Sequence, residues 1–177
     1  AVFARLGVWQ IARMHEKQAM LDAVAMDVSA RHAVPLAQAM DASRSHEYDW
    51  AQGTGAFANM DPIFLDDQMR DGRVGVQVYM VFYYDVAGEP GHSAGAMLVD
   101  MGWVPWSDRR APPDISRLGI GSNVHELRGL LTPPPASGLR LGKGFEHLPR
   151  GNGWLALRIE PEALAPVLLQ WTPAWKP

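Results

Sequence analysis

Two periodicities divide the chain. Over residues 5–28 (RLGVWQIARMHEKQAMLDAVAMDV), Leu6, Met14, Leu21, Val24 and Val28 recur near helical spacing, with charges between them and no proline. Apolar positions spaced this way line one helix face, so the stretch predicts one long helix. Pro35 breaks any continuous helix, because proline lacks the amide donor and clashes with the preceding turn. Leu36 to Met40 is left as a short helical turn. From His46 the period shortens toward two. Glu47–Trp50 alternates, Ile63–Leu65 makes a short strand, and Asp71-Gly72 is a turn signal.

Val74–Val86 (VGVQVYMVFYYDV) is β-branched and aromatic, the composition that suits a pleated surface, and is the clearest strand. Gly88-Glu89-Pro90-Gly91 is expected to turn the chain, and Ala96–Val104 (AMLVDMGWV) to return as its antiparallel partner across a longer loop. Asn123–Leu131 alternates as another strand, Thr132–Gly144 is proline- and glycine-rich loop, and Trp154–Ile159 is a late strand. Pro161–Ala165 predicts a short helix, with proline in the first turn where its missing N–H costs nothing. The expected class is therefore α+β: a long N-terminal helix, a mainly antiparallel sheet curled toward a barrel, and a short C-terminal helix. No repeat or linker interrupts the pattern, so residues 1–177 are expected to form a single domain.

Composition narrows the chemistry. The 47% hydrophobic and 20% charged fractions are those of a chain with an ordinary core. A net charge of −3, with both signs interspersed, gives no footprint for nucleic acid. The absence of cysteine removes disulfides, thiolate metal sites and cysteine nucleophiles. No apolar run reaches the ~18 residues of a membrane span. The apolar start, without an initiating Met, suggests a piece cut from a longer protein.

Several constellations resemble active-site signatures and are better read as structure. Gly91-His92-Ser93-Ala94-Gly95 fits the G-x-S-x-G elbow of hydrolases, with Asp114 and His125 in a permitted order. That elbow needs a strand before the serine and a helix after it, whereas here a turn precedes and a strand follows. A serine hydrolase is thus a distant alternative, and no catalytic residue is assigned. His125-Glu126 lacks the second histidine of a zinc motif, and neighbours on a strand point to opposite faces, so no metal site is assigned. Asp66, Asp67 and Asp71 read as solvated turn carboxylates. His15 and His125 are the candidate haem ligands if this domain supplies one.

Two clusters have the composition of a binding surface. Trp9, Arg13 and Lys17 step by four along the predicted helix and share one face. An aromatic with two basic side chains suits a membrane boundary, where tryptophan anchors and basic groups snorkel. Trp103 and Trp106, with Arg109 and Arg110, supply the aromatic–arginine mixture common at interface hot spots. Trp103 is expected to pack inward; Trp106 and the arginines are expected at the surface, open to a partner or to a haem propionate.

Leu6-Gly7-Val8-Trp9-Gln10, continued by Arg13 and Lys17, resembles the L-G-x-W-Q-x-x-R-x-x-x-K signature that follows the first membrane span in the surfeit locus protein 1 family. Leu98–Pro105 (LVDMGWVP) is similar to that family's V-[ND]-R-G-W-V-P strand. Gly55 with Phe57, Leu65-Asp66 with Gly72 and Gly75, and Leu127-Arg128-Gly129 before Pro133–Pro135 fall in family order. Met101 departs from the pattern, standing where the family usually has arginine, and Gln68 stands near another usual arginine; a thioether cannot replace a bidentate guanidinium.

The resemblance implies a non-enzymatic, membrane-anchored assembly factor for cytochrome c oxidase, assisting haem a insertion into subunit I or its maturation. Its partners would be subunit I or assembly intermediates, and the membrane through flanking helices outside this chain. Haem a would bind through that missing membrane region. The setting implied is a bacterial inner membrane with this domain in the periplasm, or the mitochondrial inner membrane in a eukaryote. The residues carried over are Gly7, Trp9, Gln10, Arg13, Lys17, Gly102 and Trp103, with Trp106 and Arg109 added from the aromatic–arginine cluster. A carrier whose own domain ligates haem is the alternative.

Overall fold

A computed structural model describes residues 33–41, 48–86, 89–108, 110–118, 124–132, 145–148 and 153–159, together with Asp22, Ala25 and Leu164. The chain divides into two compact units, Ala1–Gly53 with Leu127–Pro133 and Thr54–Glu126 with Pro134–Pro177.

In the first unit, β1 (Val34–Pro35) pairs in parallel with the start of β2 (Asp49–Phe57), Val34 opposite Ala51 and Pro35 opposite Gln52. Pro35 then opens α1 (Leu36–Ala39), a four-residue helix whose Leu36 and Ala39 are buried. Gly53 admits Leu36: a Cβ there would lie 2.8 Å from that of Leu36. β6 (Val124–Leu131) pairs with β2.

The second unit is built on β4 (Arg73–Val86). One edge of β4 pairs antiparallel with β5 (Glu89–Pro105) from Gly75–Pro105 to Val86–Glu89. The other edge is shared, by β3 (Ile63–Arg70) against Arg73–Tyr79 and by β2 against Phe82–Tyr84. Beyond β3 lie β8 (Trp154–Ala156), parallel to it, and β7 (Phe145–His147), antiparallel to β8. A 3₁₀ turn, Ser116–Leu118, follows β5.

Period-two alternation in β4 fills both faces of the sheet. Val76 and Val78 join Phe64, Val104 and Trp106 in one cluster, with Met101, Ile115, Leu118, Leu148 and Leu155 around it. From the opposite face Tyr79 joins Ile63, Leu65, Ala156, Ile159 and Leu164, while Val81 packs with Ala58 and Met60. Burial on both faces explains why β4 reads as a nearly unbroken apolar run. Each fully buried Phe or Val contributes roughly 1.5–3 kcal/mol relative to exposure.

The α+β expectation is corrected: among the described residues the fold is mainly β, with eight strands and the four-residue α1. The sheet is not closed, so the barrel is also corrected. At four residues α1 is too short to set the class. The helix expected over 5–28 falls outside the described residues except for Asp22 and Ala25, and that over 161–165 except for Leu164. Asp22, Ala25 and Leu164 are themselves helical, and the class of the described residues is set by β-branched and aromatic residues paired over long ladders. No helix among the described residues is long and apolar enough to cross a membrane.

Two further expectations change. The turn foreseen at Gly88–Gly91 gives way to strand from Glu89, which pairs with Val86, and the ladder puts Ser93 opposite Asp85. The G-x-S-x-G run is therefore strand backbone, without the strand–turn–helix corner a nucleophile needs. Asp71-Gly72 behaves as read: both have positive φ (51° and 72°) between the paired Arg70 and Arg73, the primed-turn geometry that favours Asp-Gly.

Candidate functional site

The Asp100–Trp103 segment forms a bulge. Val78 pairs with Gly102 while Tyr79 pairs with Asp100, so Met101 is an extra residue on β5. Gly102 adopts φ +111°, a conformation side chains rarely tolerate, with no atom within 4 Å of where a Cβ would stand. Its N–H donates to Asp100 Oδ1 at 2.8 Å, and the Gln77 side-chain amide donates to that same oxygen. One carboxylate thus holds the bulge and ties it to β4.

A second bulge lies across β4. The β3–β4 register slips between Leu65 and Gln68, with Asp67 at φ +58° and its N–H donating to Asp66 Oδ1 at 2.7 Å. The Gln68 side chain donates to the Asp66 carbonyl at 2.9 Å. Trp103 bridges the bulges, its indole N–H donating to the Gln68 carbonyl at 3.1 Å. The bridge needs Gly75, because a Cβ there would come within 2.4 Å of two Trp103 ring carbons.

The result is a half-buried indole fixed over glycine, beside the exposed Asp100 carboxylate and the Gln68 and Gln77 amides. The pKa of Tyr79, paired with Asp100, is pushed up to about 12, first by burial and second by the Asp100 charge. The arrangement offers an aromatic face, an acceptor and a charge side by side. Among the described residues no group of three or more His, Asp or Glu is placed to hold a metal ion.

The structure brings Gly102 and Trp103 together and separates Trp106 from them. Trp106 is corrected from surface to core: it is 6% exposed, packs on Phe64, Val76, Val78 and Val104, and donates its indole N–H to the Ala111 carbonyl at 2.8 Å. Satisfying that donor inside the loop is what lets the ring be buried. Arg110 is exposed, and Arg109 lies outside the described residues. Gly7, Trp9, Gln10, Arg13, His15 and Lys17 lie outside them as well. His125 is in β6.

Met101 lies half-buried along the Phe64–Trp106 cluster. The chain matches the SURF1 family over residues 1–176. It belongs to that family. No curated protein and no solved structure gives a match. SURF1 proteins are assembly factors, and the strand segment that resembles the family signature is the segment that forms the β5 bulge. For this SURF1 member the glycine of D-M-G-W is required by φ, the aspartate by the orphaned bulge N–H, and the tryptophan by its reach to Gln68.

Sequence reasoning missed Gln68, Gly75 and Gln77 as neighbours of Trp103. Spacing carried no signal for them, because their proximity comes from three strands in a shifted register. It also missed His147, whose ring lies edge-on to Trp154 at 4.9 Å and approaches Asp61 at 3.4 Å, while Phe145 stacks on Trp154 at 5.0 Å. His147 Nδ1 meets the Leu148 carbonyl at 3.0 Å, so both ring nitrogens have partners. It is the one histidine whose side chain is described.

Proposed function

We propose that this chain is the aqueous-facing part of a membrane-anchored cytochrome c oxidase assembly factor, which assists haem a insertion into subunit I or its maturation. The SURF1 match across residues 1–176 supports the reading, and the Asp100–Trp103 platform gives it a surface. Binding is the work assigned to it. A partner segment stacks on the Trp103 indole and donates hydrogen bonds to Asp100, while the two bulges hold both groups in place before contact. A rigid site loses less side-chain entropy on binding than a mobile one.

Haem a enters as cargo of the partner, and no step is assigned to a haem ligand of this domain. The setting is a bacterial inner membrane with the domain in the periplasm, or the mitochondrial inner membrane.

The test is co-purification of the full-length protein, with its membrane helices, from cells assembling the oxidase. Subunit I should be retained by the wild type and by Trp103→Phe, which keeps a ring over Gly75, and largely lost with Trp103→Ala at equal protein abundance. Equal retention by all three would remove the platform from the account. Absence of subunit I from every preparation would remove the partner.

A further inference from the structure

The β3–β4 hairpin tip has an exposed apolar pair that the fold does not use. Met69 and Val74 are cross-strand partners, 63% and 41% exposed, although Val76 and Val78, next on the same face of β4, are 0% exposed. Arg70 and Arg73 face each other one step nearer the turn. Like charges directly opposite on a ladder destabilise it, so the pair is a local cost that an anionic partner would relieve. Asp71 at the apex offsets one of the two charges. The tip is held firmly: its turn has the primed geometry, and the Trp106 backbone N–H donates to the Val74 carbonyl at 3.2 Å.

We propose that this tip contacts the surface of an anionic lipid bilayer. Inserted end-on, Met69 and Val74 reach the boundary between headgroups and acyl chains. Both guanidiniums then meet phosphates, with their stems lying along apolar surface. A protein partner fits less well. A specific protein interface takes about 800 Å² from each side, more than a turn of this size supplies, whereas a bilayer closes around a small probe. Contact at this point would restrict the orientation of the second unit against a membrane. The inference rests on these side chains alone and is independent of the oxidase reading.

The test is flotation of this chain with vesicles of phosphatidylcholine, with and without one quarter phosphatidylglycerol. The wild type should float with the anionic vesicles and much less with neutral ones, and should be released by high salt. Each arginine near such a surface is worth about a fivefold change in partition, so Arg70→Gln/Arg73→Gln should lower it roughly 25-fold. Met69→Gln/Val74→Thr should lower it about tenfold. All four positions are exposed, so unchanged circular dichroism is expected for both variants. Undiminished binding by the variants, or no wild-type binding to anionic vesicles, would overturn the proposal. Retention on soluble polyglutamate without vesicle binding would give the tip to an acidic protein instead, and would overturn it equally.

Discussion

Gly102→Ala isolates a backbone cost. No atom lies within 4 Å of the new Cβ, so the methyl meets nothing, and the penalty comes only from holding a side chain at φ +111°. Conformations of this kind cost about 1–3 kcal/mol for a non-glycine residue. An upper bound follows from the neighbours. If the bulge rearranges instead, the Gly102–Asp100 bond at 2.8 Å and the Trp103–Gln68 bond at 3.1 Å are both lost. A bond to a charged acceptor is worth about 1.5–3 kcal/mol and a neutral one about 1 kcal/mol, so rearrangement costs at most ~4 kcal/mol. The chain should take the cheaper route, losing about 2 kcal/mol. For a domain of this size that lowers Tm by roughly 4–8 °C. Urea unfolding followed by tryptophan fluorescence should show a lower midpoint with unchanged slope. Gly102→Ser should cost the same as alanine, because the penalty does not depend on side-chain size. A loss below about 0.5 kcal/mol, or a serine much worse than alanine, would refute the reasoning.

The neutral Tyr79 phenol predicts a pH effect. Its value rises from 10.0 unfolded to about 12 folded, so its contribution is complete below pH 10 and is lost as pH rises through about 12. Tyr79→Phe should flatten the fall in Tm over that window, and an unchanged fall would place its cause elsewhere. At the β3–β4 turn, Gly72→Ala at φ +72° should cost about 1 kcal/mol in chemical denaturation, whereas a neutral result would contradict the turn geometry. Trp106→Phe removes the bond to Ala111 and part of a buried ring and should cost about 2–3 kcal/mol; a near-neutral change would return Trp106 to the surface.

The long strands were legible because their residues favour a pleat and are buried on both faces. Val74–Val86 falls within β4, and Asp71-Gly72 marks its start to the residue. β7 was not legible: three residues, Phe-Glu-His, carry too little alternation to stand out from a loop. Nor was parallel pairing, as in Ile63–Leu65 against Trp154–Ala156, since strands so far apart in sequence leave no local trace of being neighbours. The Leu98–Pro105 signature covers the segment that carries the β5 bulge, yet the geometry behind it lay in register shifts on both sides of β4. Trp106 was misplaced because a tryptophan beside polar residues reads as surface until its N–H is seen to reach the Ala111 carbonyl within its own loop.

The central claim is that this SURF1 member supports oxidase assembly through the Trp103 platform. It is tested most directly in cells lacking their own family member, given back the full-length protein and assayed for cytochrome c oxidase activity in their membranes. The account predicts that wild type and Trp103→Phe restore activity, while Trp103→Ala, at equal abundance, restores little. Full restoration by Trp103→Ala, or none by the wild type, would contradict it.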